Sequence, residues 1–233
     1  MTLPNFSFEK RLWKKGFNRI AGIDEVGRGC FAGPVVVGCV VFKKGTQIPK
    51  KVKIDDSKKL SEKRRIIANK WIKENATTYA VGEVSTSVIN RMGMANATKT
   101  AFRRGVINAN NKVKFSIDYL LIDAFYIPYT RGFPVRRKKA RKNHKLNDSR
   151  ARQLAIVNGD GKSFSIAAAS IIAKVYRDNL MKRLSDKPSY KKYKWENNKG
   201  YATKEHISAI NKYGITKYHR KTFVESYYRN KRT

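Results

Sequence analysis

The chain reads as an α/β protein, and three observations carry that reading. Short apolar runs alternate with longer stretches of helical period, the order expected of a sheet covered by helices. Serines and threonines stand where several helical stretches begin, and these residues cap helix starts. Three of the strand-like runs lead into an aspartate. If those strands are neighbours in one sheet, the acids meet along one end of it.

Taken in chain order, residues 19–24 form a strand that closes on Asp24 and Glu25. Residues 34–42 form a second, apolar on both faces and therefore interior to the sheet. Residues 43–53 are a basic loop holding Gly45 and Pro49. Ser61 caps a helix through Ile66, Ile67, Trp71 and Ile72. Residues 78–84 alternate like a strand. Ser85 or Thr86 caps a long helix to about Asn108, weakened by Gly93. Residues 119–122 are a buried strand that ends in Asp123. Residues 131–152 hold ten Lys or Arg and one acid, Asp148, the composition of a flexible basic loop. Residues 154–157 return to strand character ahead of Asn158, Gly159, Asp160 and Gly161. Residues 163–178 are a helix dense in alanine, suited to close packing on the sheet. The tail from Lys187 mixes Tyr, Trp, Lys and Arg, with a helix expected over 203–213. The result is an α/β or mixed α+β sheet with no internal repeat.

Bulk properties narrow the function. The chain has 233 residues, 41% of them hydrophobic, enough for one large domain with a real core. Fifty-two Lys and Arg against seventeen Asp and Glu leave a formal charge of +35. Such a surface seeks a polyanion, and nucleic acid is the usual one. No run approaches a membrane span, and the first residues, MTLPNFSFEKRLWKKGF, lack a signal peptide's apolar segment. Cys30 and Cys39 read as reduced thiols, so a cytoplasmic location is expected.

The acids at the strand ends are Asp24 with Glu25, Asp123, and Asp160. Clustered carboxylates repel unless a cation sits among them. Hard oxygen ligands without His or Cys point to Mg²⁺ or Mn²⁺. Two such ions about 3.5–4 Å apart are a common device for in-line phosphodiester hydrolysis. Neighbouring strand residues point to opposite faces, so Asp24 and Glu25 serve one site only where the strand ceases to be regular. Gly27 and Gly29 are expected to supply that break.

Five blocks now carry a resemblance. GIDEVGRGCFAGPVVVG, DDSKKLSEKRR, LLIDAF, GDGKSFSIAAASIIAKVYRD and NKGYATKEH occur in that order between about residues 18 and 220. Together they resemble type 2 ribonuclease H, ribonuclease HII, in its bacterial form. The resemblance implies a ribonuclease H-like fold: a mixed central sheet flanked by helices, with a helical C-terminal extension. It implies a metal-dependent endonuclease that cuts RNA paired to DNA, and single ribonucleotides embedded in duplex DNA. Cleavage would fall 5′ of the ribonucleotide and leave 3′-hydroxyl and 5′-phosphate ends. Asp24, Glu25, Asp123 and Asp160 would be the catalytic metal ligands, holding two Mg²⁺ or Mn²⁺ ions with substrate bound. Gly27, Arg28 and Gly29 would read the sugar at the junction, since a 2′-hydroxyl both donates and accepts. Arg28 can clamp phosphate with its planar fork. Tyr201 would pack on the next sugar. Lys58 and Lys59 would contact phosphate, with Ser57 as a helper.

The same resemblance divides the chain into a catalytic core over 18–180 and a basic, aromatic substrate-binding part over 181–233. The interval from Asp123 to Asp160 is long for bacterial members, which places a basic insertion within 136–152 and makes Asp148 the rival for the fourth acid. Asp160 is preferred because it precedes SIAAASIIAK at the family spacing. Deleting 138–149 should flatten the salt dependence of duplex binding and spare the chemistry.

Several residues receive a plainer reading. Ser163 and Ser165 cap the alanine-rich helix, and its N-terminus is a candidate phosphate contact. Asp178 lies about five helical turns beyond Asp160 and reads as a salt-bridging surface residue. His144, His206 and His219 lack ligand spacing and read as structural. The tail FVESYYRNKRT shows no clamp-binding peptide, no other protein partner is evident, and the charge favours a monomer. Two rivals remain. A non-catalytic, ribosome-associated nucleic-acid-binding protein explains the charge. An integrase-like enzyme keeps the metal chemistry and changes the substrate.

Overall fold

The computed structural model describes residues 3–113, 115–125 and 152–231. The basic insertion, with Asp148 and His144, lies outside them. Among the described residues a five-stranded sheet has the order β3-β2-β1-β4-β5. The strands are β1 (Ile20–Val26), β2 (Val35–Val41), β3 (Thr78–Val84), β4 (Tyr119–Asp123) and β5 (Gln153–Ile156). β1 pairs antiparallel with β2, and β2 with β3. β4 lies parallel to β1, and β5 parallel to β4. The sheet is therefore mixed, as expected. β2 is buried at every position, in accord with its two apolar faces.

Two long helices cover the sheet. α5 (Phe164–Ser185) presses on β1 and β2 on one face. The approach is so close that a Cβ on Gly22 would stand 2.0 Å from the Ser165 carbonyl carbon, and one on Gly38 would stand 2.1 Å from the Ala169 oxygen. Glycines on the strands and small residues on the helix are thus two halves of one contact. α4 (Met94–Asn111) covers the other face, with Ala97, Ala101, Phe102 and Val106 buried against Ala21, Ile23, Val37 and Cys39.

The expected single helix from 85 is instead two, α3 (Thr86–Met92) and α4, broken at Gly93 with φ of 78°. The Ser85 side chain makes no capping bond there and pairs with Ser87. α2 (Glu62–Asn75) does start at Ser61, whose hydroxyl accepts from the Arg64 amide. Its buried face is Ala68 and Ile72, while Ile66 and Ile67 are exposed.

β3 is an edge strand, and α4 satisfies its open side. Lys112, Asn108 and Arg104 donate to the carbonyls of Tyr79, Val81 and Glu83 at 2.9, 2.8 and 2.7 Å. Residues four apart on a helix meet residues two apart on a strand, so the edge's acceptors are occupied within the chain.

The first helix, α1 (Ser7–Lys14), went unforeseen from sequence. It brings Phe6 and Trp13 into an aromatic cluster with Phe42, Trp71 and Phe164. It also delivers Glu9, buried, to the start of α5. Ser163 caps α5 through the Ile166 amide as expected. However, the Ser163 and Ser165 hydroxyls and the Ser165 amide all donate to Glu9. The helix N-terminus is already neutralised by a carboxylate of this chain, and all three residues are buried. It is therefore closed to phosphate.

The C-terminal part is helical: α6 (Pro188–Lys191), α7 (Trp195–Asn198), α8 (Lys204–Tyr213) and α9 (Lys221–Asn230). Its core stacks Trp195 on Tyr190 and Tyr193. His206 and His219, both buried, serve that core as expected. The Thr216 amide donates to His219 Nδ1, so Nε2 carries the His219 proton and donates to His206 Nε2 at 3.2 Å. Trp195 donates to the same His206 nitrogen, and His206 Nδ1 donates to the Tyr201 carbonyl at 2.8 Å. Both imidazoles are neutral in this arrangement. Among the described residues no helix is long and apolar enough to cross a membrane.

Candidate active site

Chain topology assembles the acids. β1 is central, and parallel β4 beside it runs in register from Ile20 with Tyr119 to Ile23 with Ile122. One step further each strand carries an aspartate, Asp24 and Asp123. β5 lies on the far side of β4, with Asp123 opposite Ile156. The chain then turns through left-handed Asn158 into a 3₁₀ turn, Gly159–Gly161, that holds Asp160. The Gly159 amide donates to Asp123 at 2.7 Å and ties that turn to β4.

Charge and burial conflict here. Asp24 is buried, and its carboxyl is pushed well above the usual range by burial, then by Glu25, Asp123 and Asp160, against a hydrogen bond from Ser170. Burial also raises Glu25, while Arg28 holds it down and Asp123 pushes it up. Asp160 is raised by burial, by Asp56 and by Asp123, against Lys58. Burial pushes the Lys58 ammonium down, but Asp56, Asp160, Asp24 and Asp123 outweigh it and leave it raised. The four acids thus share one electrostatic neighbourhood.

One expectation is corrected. β1 does not stop at the acid pair but runs regularly through Val26, with Glu25 opposite Val37 and Val26 opposite Val36. Asp24 faces α5, near Ser170, and Glu25 faces the other side of the sheet, near Arg28. Both line one cleft of about 790 Å³, and on the β4 side the pairing of β1 stops at Ile23, just before them. The irregular backbone begins only at Gly27, with φ of 93°. A Cβ at Gly27 would lie 2.2 Å from Arg177 Nε.

Arg28 and Gly29 also line the cleft. Arg28 bonds Glu25 at 3.1 Å and lies over the Phe125 ring at 5.5 Å. An added Cβ at Gly29 would meet nothing within 4 Å. Tyr201 lines the cleft as well, 40% exposed. Burial and the adjoining Cys30 thiol push its phenol up to about 12, against Arg177. Ser57 and Lys58 reach the cleft too. The Ser57 hydroxyl is buried and accepts from Ser170 at 2.9 Å. Lys59 is outside the lining, 4.0 Å from Asp55. Asp123 and Asp160 flank the cleft rather than line it.

Several residues escaped sequence reading. Asp56, inside the DDSKKL block, faces Asp160. Lys174 lines the cleft and pairs with Asp178 at 2.8 Å. Asp178 therefore makes its salt bridge, but half-buried at the cleft rather than on open surface. Arg177 and Arg220 are wholly buried behind it. Cys30 and Cys39 are free and buried.

A divalent cation suits this donor set. The ligands are hard carboxylate oxygens, and Glu25 Oε2 is buried without a hydrogen-bond partner. Among the described residues no three acidic, histidine or cysteine side chains close into a finished cage. That agrees with Mg²⁺-type sites, where a few carboxylates share the ion with substrate phosphate and water.

Known proteins resemble the chain along its length. The family model for Ribonuclease HII matches residues 21–231. A Ribonuclease HII of Caldanaerobacter subterraneus is 43% identical over 218 residues, covering 94% of this chain and 79% of the relative. One from Endomicrobium trichonymphae is 42% identical, covering 94% and 91%. Among solved structures, the PCNA:RNase HII complex from Archaeoglobus fulgidus matches with a TM-score of 0.62 at 24% identity, over 87% of this chain and 93% of that one. Bst-RNase HIII in complex with Mn²⁺ matches at 0.63 and 20% identity, over 89% and 65%. The last two show a shared fold.

Proposed function

The chain belongs to the ribonuclease HII family, a group of ribonuclease H endonucleases, and we propose that it nicks duplexes 5′ of a ribonucleotide. The substrates in this reading are RNA/DNA hybrids and duplex DNA holding a single ribonucleotide, and the products end in 3′-hydroxyl and 5′-phosphate. One observation carries it: four buried or half-buried acids meet at the end of a sheet inside a +35 chain, beside a cleft walled by Arg28, Gly29 and Tyr201. A merely adhesive nucleic-acid-binding protein has no use for acids whose charge opposes both burial and the substrate.

Asp24, Glu25, Asp123 and Asp160 would hold Mg²⁺ or Mn²⁺. Bound there, a pair of such ions supplies positive charge to the phosphate oxygens and lowers the pKa of water. The chain's own groups do the rest. Arg28 offers a planar fork to the phosphate while its bond to Glu25 keeps that carboxylate oriented. Lys58 adds a positive charge at the acid cluster's rim. The Gly29 backbone approaches the sugar without steric hindrance, and the half-exposed Tyr201 ring packs on the neighbouring sugar. Residues 18–180 form the catalytic core in this reading, and the basic part over 181–233 grips the duplex. The chain works as a cytoplasmic monomer.

The test is a DNA duplex with one ribonucleotide, incubated with Mg²⁺ or Mn²⁺, and its product ends mapped. A single nick 5′ of the ribose is expected. Binding without a nick, or cutting of an all-DNA duplex, would overturn the reading.

A further inference from the structure

Arg177 and Arg220 are fully buried, and their hydrogen bonds end on backbone carbonyls. Arg177 donates to Pro34, Ala32 and Lys199 at 3.0, 3.0 and 2.8 Å. Arg220 donates to Gly33 at 3.0 and 2.8 Å, to Pro34 at 3.1 Å and to Arg28 at 2.8 Å. Desolvating a guanidinium costs several kcal/mol, so two that pair with no carboxylate among the described residues need a strong compensating role. Together they join two segments: the turn over 27–34, which continues directly from the strand that carries Asp24 and Glu25, and the Lys199 carbonyl just before Gly200 and Tyr201. Gly27 lies directly on Arg177.

The Arg28 carbonyl matters most. The peptide unit is planar and trans, so its oxygen and the Gly29 N–H point to opposite sides. Holding the Arg28 oxygen on Arg220 fixes the direction of the Gly29 amide. Gly29 lines the cleft, and the space at its α-carbon is open. On the Tyr201 side, the Phe31 and Ala32 amides donate to the Gly200 carbonyl at 2.8 and 3.1 Å, which locks that loop to the same turn.

We propose that Arg220, backed by Arg177, is a positioning residue that aims the Gly29 amide at the sugar and holds Tyr201 at a set distance from it. The inference rests on the ribonucleotide-cleaving reading above. Lysine keeps the charge but puts one nitrogen on a rotating stem, which cannot span the Arg28, Gly33 and Pro34 carbonyls at once.

The experiment measures kcat and KM of Arg220→Lys on a duplex with one ribonucleotide, alongside its melting temperature. The variant is expected to fold, to keep KM within about threefold, and to lose kcat by about tenfold or more. Arg177→Lys should behave alike and takes its place if Arg220→Lys does not fold. A folded variant with kcat within twofold of wild type overturns the proposal. A rise in KM with kcat intact overturns it as well, because that marks general affinity. Collapse of both variants also overturns it and leaves the arginines purely structural. Wild-type chain that makes no nick sinks the underlying reading, whereas active wild type with an unaffected variant sinks only this inference.

Discussion

Acidification should destabilise the C-terminal part through His219. The imidazole is fully buried, and burial, then His206, pull it from 6.5 to about 3. Its Nδ1 accepts from the Thr216 amide and its Nε2 donates to His206, so a proton added at Nδ1 displaces the Thr216 amide bond and sets a buried charge beside His206. The native pKa lies below the unfolded one, and the unfolded chain therefore takes up the proton first. Stability is complete above about pH 6.5 and falls as pH drops toward 3. Between pH 7 and pH 5 the loss from this one group is about 2 kcal/mol. For a chain of this size that is about 4–8 °C in melting temperature. Burial lowers His206 too, which adds in the same direction. The raised carboxyls of Asp24, Glu25 and Asp160 act oppositely, since their charge costs least at low pH. The quantity to measure is therefore a difference. Urea unfolding of wild type and His219→Asn at pH 7 and pH 5 should show the variant weaker at pH 7 but about 2 kcal/mol less sensitive to the change. Equal sensitivity in the two proteins would refute the assignment of this histidine as buried and neutral.

Four other outcomes are expected. Asp24→Asn should cut nicking by about 10³-fold or more, leave duplex binding intact, and raise the metal-free melting temperature because an unfavourable buried charge is gone; a lower melting temperature would contradict the crowding of acids at the sheet's end. Gly22→Ala should cost about 3 kcal/mol in urea unfolding, because the new Cβ meets Ser165 backbone at 2.0 Å; unchanged stability would mean that α5 can move away. Glu9→Ala should cost about 2 kcal/mol by stranding the Ser163 and Ser165 donors, with kcat unchanged in the folded protein; a matching loss of kcat would place the α5 N-terminus in the site after all. Arg28→Ala should slow cleavage by about tenfold or more while duplex affinity changes little, and an unaltered rate would remove this arginine from the chemistry.

Sequence by itself determined the strands, four helical stretches and the acids near the strand ends. Residues 34–42 could only be interior because both faces are apolar, and Asp24, Asp123 and Asp160 stood out because strands end in the sheet's own geometry. Those signals are local: hydrophobic period, helix caps, and the residue that closes an apolar run. The tertiary structure decided the rest. Asp24 and Glu25 line one cleft from opposite faces where β4 stops pairing with β1, a fact of neighbouring strands and not of one. Glu9 closes the α5 N-terminus across more than 150 residues of chain. Asp56 meets Asp160, and Arg177 and Arg220 hold carbonyls from distant turns. A guanidinium bound to backbone oxygens selects for no partner side chain, so nothing in the order of residues marks it. Only the closed fold, by removing water from those carbonyls, makes two buried arginines the frame on which the cleft is hung.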